Sequence, residues 1–165
     1  MNNDERKKIA QRLSTRVETG LHFIEFEYLA RHSTPDLAWI RIIYILFSFY
    51  SELLLKAVFV MRGDFRNLSS LEEKLKRMAH DLKEISRQIS KDSLLEFGIK
   101  DISFTNGEYL IETDSGNFSV KDFTDIRYDF LDKRIRTIYG NEHDLFKEQI
   151  EIMQKINHKL KPLVW

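Results

Sequence analysis

The sequence predicts a mainly α protein: an up-and-down bundle of four to five helices with a small antiparallel β insert around residues 101–121, all in one domain over 1–165. Three observations carry this. Apolar residues recur at helical spacing through most of the chain. That spacing gives way to alternation only after Lys91. The alternating stretch is divided by Asn106-Gly107 and Ser115-Gly116, pairs that suit tight hairpin turns.

The first helix is predicted from about Asp4 to Arg31, through Ile9, Leu13, Val17, Leu21, Ile24 and Tyr28, with Gly20 as a bend or break. His32-Ser33-Thr34-Pro35-Asp36 then restarts the chain. Ser33 or Thr34 can cap, Pro35 fits the first helical position, and Asp36 suits the positive end of the helix dipole. The second helix runs to about Arg62, where Gly63 stops it.

This second helix is apolar and long enough to cross a bilayer, yet it carries Arg41, Glu52 and Lys56. Each charge would cost roughly 2.5–3.5 kcal/mol near a bilayer centre. On a helical wheel, Arg41, Ser48, Glu52 and Lys56 fall on one narrow stripe. The pattern predicts a buried core helix over 38–60 rather than a membrane span. Glu52 and Lys56 stand in the favourable i,i+4 order. The stripe has two readings: an exposed helix edge, or a polar floor under a cleft or dimer seam.

Ser70 and Glu73 suggest a capping box for a third helix, with Leu71, Leu75, Met78, Leu82, Ile85 and Ile89 as its apolar seam. Its opposite face carries His80 among Lys76, Lys83 and Arg87, a basic strip that reads as a solvated face or a binding surface, diluted by Glu73 and Glu84. Three short strands follow, facing Ile102 and Phe104, Tyr109 and Ile111, and Phe118 and Val120 to one side. A meander this small must lean on the helices. Helix resumes around Phe123 to Tyr139, breaks at Gly140-Asn141, and ends in an amphipathic helix with Leu145, Phe146, Ile150, Met153, Ile156 and Leu160, capped by Asn141.

Composition narrows the function classes. The formal net charge is +0, which argues against a non-specific nucleic-acid binder. The charges are split, 16 Lys/Arg against 12 Asp/Glu over residues 1–91 and 10 against 14 over 92–165. With no cysteine, disulfides, thiolate metal sites and Cys nucleophiles are excluded. The polar start, lacking an apolar signal stretch, predicts a cytoplasmic protein with no membrane association. The glycines form no phosphate loop and no Gly-x-Ser-x-Gly elbow occurs. The histidines at 22, 32, 80, 143 and 158 show no metal-ligand spacing, so neither a metal nor a cofactor is expected. Phe104, Tyr109 and Phe118 could form a stacking platform for RNA, though packing against the bundle explains those rings better.

Three strings, in order, resemble one known family. Ser51-Glu52-Leu53-Leu54-Leu55-Lys56-Ala57 resembles the Glu-x-x-Leu-Lys-Ala helix of the HEPN domain, the nucleotide-binding domain of higher eukaryotes and prokaryotes. Ala79-His80-Asp81-Leu82 resembles its Gly-His-Asp-Leu string, and Asp125-Ile126-Arg127-Tyr128-Asp129-Phe130 its later Arg-Tyr string. The resemblance implies a helical bundle, often a homodimer, and in many members a metal-independent ribonuclease of a toxin–antitoxin, phage-defence or RNA-processing system. It implies RNA or a nucleotide as ligand and an antitoxin or other protein as partner. The family's catalytic signature, an Arg and a His with four to six residues between them, falls here on Arg136 and His143, which have six between them. Thr137 stands where the family usually has Asn, His or Asp, and Gly140-Asn141 interrupts the pair. In such a site the His shuttles protons at a 2′-hydroxyl and the Arg holds the phosphate. Candidate binding residues are Lys76, His80, Lys83, Arg87 and Arg127. The alternative function is a non-catalytic helical adaptor or nucleotide/RNA-binding module acting through protein partners.

Overall fold

A computed structural model describes residues 2–29, 37–63, 65–122 and 142–164. Its elements are α1 (Asn3–Phe23), continued by a π-helical segment (Ile24–Leu29), then α2 (Leu37–Arg62), α3 (Leu68–Met78), α4 (Leu82–Arg87) and α5 (Lys91–Glu96). Three strands follow, β1 (Ile99–Thr105), β2 (Glu108–Thr113) and β3 (Gly116–Lys121), and then α6 (Glu142–Val164). The protein is mainly helical with one small antiparallel sheet, as its periodicity predicts. The predicted helix over 123–139 and the cap at Asn141 lie outside the described residues.

The long helices α1, α2 and α6 make the core. Arg6 donates to the Gly63 carbonyl at one end of the α1–α2 contact, and Gly20 meets Tyr50 further along, so the two helices run antiparallel. A Cβ on Gly20 would sit 2.0 Å from the Tyr50 ring; α1 runs unbroken through this glycine, which lets that ring lie against it. Phe146 of α6 is fully buried, stacked on Phe47 and edge-on to Tyr44 of α2. Buried Asn157 accepts from the Ser14 hydroxyl at 2.8 Å and donates to the Ser14 carbonyl at 3.2 Å, tying α6 to α1 with its polar groups satisfied.

The sheet has the order β1-β2-β3. Asn106 and Gly107 both take positive φ, as the β1–β2 turn requires. Ile102 pairs with Ile111 and Ile111 with Phe118; Phe104 pairs with Tyr109 and Tyr109 with Val120. These residues share one face, which packs towards α2 and α6.

The third helix departs from expectation. Its cap is Asn67, with Ser70 reciprocating, rather than Ser70 with Glu73. The helix stops at Met78, where Ala79 adopts φ 45, and Asp81 caps a new helix by accepting from the Glu84 N–H at 2.9 Å. A further short helix, α5, begins at its cap Ser90. Replacing Asn67 with Ala should therefore lower stability by about 1 kcal/mol, while Glu73→Ala should leave it nearly unchanged. Urea unfolding of the two variants checks this.

Trp39–Arg62 is the one helix among the described residues long and apolar enough to cross a membrane, with an 18-residue window of mean hydropathy 1.8. Within the fold 61% of that window is buried. The polar stripe is not an exposed edge, since Ser48 and Glu52 are buried. Phe59, eighteen residues beyond Arg41 and so five full turns along the same line, is buried as well.

Candidate functional site

The break at Ala79 decides where the chain's chemistry goes. Had α3 continued, His80 would stand among Lys76, Lys83 and Arg87 on a helix face. Instead the positive φ at Ala79 turns His80 back over α2. Its Nδ1 lies 2.7 Å from Glu52 Oε2. The His80 side chain is half exposed, whereas that of Glu52 is 4% exposed. Lys56 approaches the other carboxylate oxygen at 2.5 Å and donates to the Ala79 carbonyl at 2.9 Å. The buried carboxylate is thus matched by one ammonium and one imidazole, the condition under which a charge is tolerated inside a protein. With Lys56 on one oxygen, the other accepts from His80, which puts hydrogen on Nδ1 and the neutral ring's acceptor lone pair on Nε2.

The same junction meets the sheet. Tyr109, buried in the middle strand, has its hydroxyl 3.2 Å from Asp81 Oδ1 and 3.1 Å from Asp122 Oδ2, so one hydroxyl hydrogen serves two carboxylates. Burial first, then the charges of Asp122 and Asp81, push the Tyr109 phenol well above its ordinary value, and it stays a donor across the physiological range. Ala79, His80, Asp81, Lys83, Phe104, Tyr109 and Asp122 line a cleft of about 610 Å³ between the α3–α4 junction and the sheet.

The structure brings together two of the sequence-predicted binding residues, His80 and Lys83. It does not bring Lys76 or Arg87 to this cleft: Lys76 is exposed on α3, and Arg87 faces Glu84 on α4 at 3.8 Å. The basic strip is not one helix face, because the helix is interrupted. Arg127 and Arg136 lie outside the described residues, as does the side chain of His143. Of the three predicted platform rings, Tyr109 and Phe118 are buried and only Phe104 is exposed. Sequence reasoning missed Asp81 and Asp122 as site residues. Asp81 carried a signal, since Asp81 and Glu84 have the Asp-x-x-Glu spacing of a helix start. Asp122 carried none. No group of His, Asp and Glu able to hold a metal ion occurs among the described residues.

No protein-family model matches the chain, and no curated protein and no solved structure matches it.

Two substitutions probe the junction. Ala79 occupies a backbone conformation that glycine adopts without strain. Ala79→Gly should hold stability level or raise it by up to about 1 kcal/mol, where glycine at an ordinary helical position would lower it; urea midpoints decide. Tyr109→Phe removes the bridge between the carboxylates and should cost about 1–2 kcal/mol at neutral pH. Because the folded-state pKa lies above the unfolded value, the phenol's contribution is full below about pH 10 and declines as pH rises beyond it. The stability gap between wild type and Tyr109→Phe should therefore narrow on titration above about pH 10.

Proposed function

We propose that this is a HEPN-like cytoplasmic protein that binds RNA in the cleft at the α3–α4 junction, and that it acts there as a metal-independent ribonuclease with His80 as the proton-transfer group. The observation that carries the reading is the pairing of a half-exposed histidine with a buried carboxylate at the edge of that cleft. A carboxylate on Nδ1 fixes the tautomer and orientation of the ring, as a general acid–base needs. Glu52 and Lys56 act as positioning residues, and Lys83 supplies positive charge for a phosphate. The two sequence strings that first resembled the HEPN family, around Glu52 and His80, meet in space at this pair. In that family string the position of Ala79 is glycine, in keeping with its positive φ here. The resemblance adds a homodimer and an antitoxin or other protein partner to the proposal.

The test is cleavage of unstructured RNA at low salt in the presence of a chelator. Wild type should cut; His80→Ala should lose at least about a hundredfold in rate while keeping its cooperative melt. If instead His143→Ala and Arg136→Ala lose activity and His80→Ala keeps it, the catalytic pair is Arg136 and His143, and His80 is a structural tie.

A second reading is favoured by Asp81 and Asp122 in the same cleft. Two carboxylates oppose the negative charge that builds up on a phosphate during cleavage, which suits a non-catalytic module that binds RNA or a nucleotide without turning it over. RNA binding with no cleavage by the wild-type protein selects this reading.

A further inference from the structure

Resting on the homodimer of the proposed function, though not on its RNA chemistry, we infer that two copies of the chain join along β1. The two strands lie edge to edge and antiparallel about a two-fold axis at Ser103, and the two sheets become one of six strands. β1 is an edge strand, paired on one side with β2. The two-residue turn at Asn106-Gly107, with positive φ at both positions, makes Thr105 and Glu108 a bonded pair, and bonded pairs alternate from there. Ser103 therefore bonds to Leu110. Ile102 and Phe104 stand opposite Ile111 and Tyr109 in unbonded pairs, so their N–H and C=O groups aim out of the sheet. Among the described residues no backbone group bonds to that outer edge. An open row of this kind is a template for another strand.

The sequence of β1 says which strand fits. A bulge shifts the register between Ile99 and Asp101, and Lys100 and Asp101 put charge at the same end, both devices that blunt an edge. Ile102 to Thr105 carries neither charge nor bulge. Laid antiparallel on itself, the strand has few acceptable centres. An axis at Lys100 or Asp101 sets like charges face to face. An axis at Ile102 draws the bulged Lys100 into the ladder, and one at Phe104 sets Ile102 against the partner's Asn106, in the turn. An axis at Ser103 sets Ile102 against the partner's Phe104 and uses all the outward N–H and C=O groups of both residues. Asp101 then faces the partner's Thr105, an acceptor opposite a hydroxyl donor.

The same register continues two apolar rows. On the face towards the helices, Phe118, Ile111 and Ile102 make one row, and Val120, Tyr109 and Phe104 the other. Both rows are buried over β3 and β2 and lose their cover at β1, where Ile102 is half-buried and Phe104 is 39% exposed. With the axis at Ser103, the Ile102 row of each copy runs into the partner's Phe104 row, and each end residue gains the cross-strand neighbour it lacks. Because Phe104 lines the cleft, the two clefts open on one side of the joined sheet, near the axis. One strand from each copy makes a small contact, so the association is weak and depends on concentration.

Sedimentation of the full chain from about 1 to about 100 μM should show the mass rising from one chain towards two. Ser103→Lys, which sets two ammonium groups face to face at the axis, should weaken the association at least about fivefold and leave the melt unchanged, since Ser103 is exposed. The chain has no cysteine, so one introduced thiol reports the register. Ser103→Cys places two thiols across an unbonded antiparallel pair, within reach of a disulfide, and should oxidise to a covalent dimer. Asp101→Cys and Thr105→Cys, each about 14 Å from its own copy across the axis, should fail to cross-link alone and should cross-link when the two proteins are mixed. A dimer in which Ser103→Cys oxidises no faster than Asp101→Cys overturns the β1 interface and leaves the homodimer on another surface. A single chain mass across the whole range overturns the interface and the homodimer together.

Discussion

Glu52→Ala should be among the most destabilising single substitutions in the protein, at about 3–5 kcal/mol. The expectation does not come from adding up the strength of two ion pairs. It comes from what truncation would strand. The Lys56 side chain is only 13% exposed and lies against Glu52 Oε1 and the Ala79 carbonyl. Without the carboxylate, its ammonium keeps one neutral acceptor in a poorly solvated place. His80 loses the group on Nδ1, and the peptide at Ala79 loses the fixed pair that holds its strained turn against α2. Replacing both partners, as in Glu52→Leu with Lys56→Met, should restore a large part of the lost stability, because no buried charge then remains unmatched. Urea unfolding followed by circular dichroism measures all three proteins. A loss below about 1 kcal/mol for Glu52→Ala, with no recovery in the double variant, would mean that water reaches the seam and that Glu52 does not orient His80.

The polar stripe itself was legible in the sequence, but what covers it was not. A helical wheel places Arg41, Ser48, Glu52 and Lys56 together and is silent about whether water, a partner or another part of the chain lies over them. Over Glu52 the cover is His80, twenty-eight residues on, and over Lys56 the Ala79 carbonyl, both delivered by a break that the hydrophobic pattern hides. Leu75, Met78, Leu82, Ile85 and Ile89 keep helical spacing straight across it, and Ala79 is a strong helix former. Spacing records which residues face the core, and here both α3 and α4 face the same core, so the seam continues where the backbone does not. The cap sequences were better witnesses: Asn67 with Ser70, Asp81 with Glu84, and Ser90 with Ser93 each mark the helix start that forms. The sheet was legible because its signals are local. Asn106-Gly107 has the positive φ angles its turn needs, and alternation fixes which face meets the helices. Asp122 reaches Tyr109 through the β2–β3 pairing, whereas the meeting of Asp81 with Tyr109 depends on how the sheet docks against the α3–α4 junction, a long-range arrangement that no local pattern encodes.

Phe59→Ala should cost about 3–5 kcal/mol, and Ile42→Ala on the same helix less than about 1 kcal/mol. Both belong to the one helix among the described residues that is long and apolar enough to span a bilayer. The fold separates them. Phe59 is 1% exposed, with its ring edge-on to Phe65 at 4.9 Å, and it extends the line of Arg41, Ser48 and Glu52 into the core. Ile42, about 100° round the helix from that line, is 38% exposed. Removing the Phe59 ring leaves a cavity whose walls, on a helix packed against α1, α4 and α5, cannot all close in. Removing most of the Ile42 side chain trims a surface. Two-state urea unfolding in detergent-free buffer gives both numbers. Small and equal losses at the two positions would show that neither side of α2 is held in a packed core, and that its apolar surface is meant for a lipid or a partner rather than for this fold.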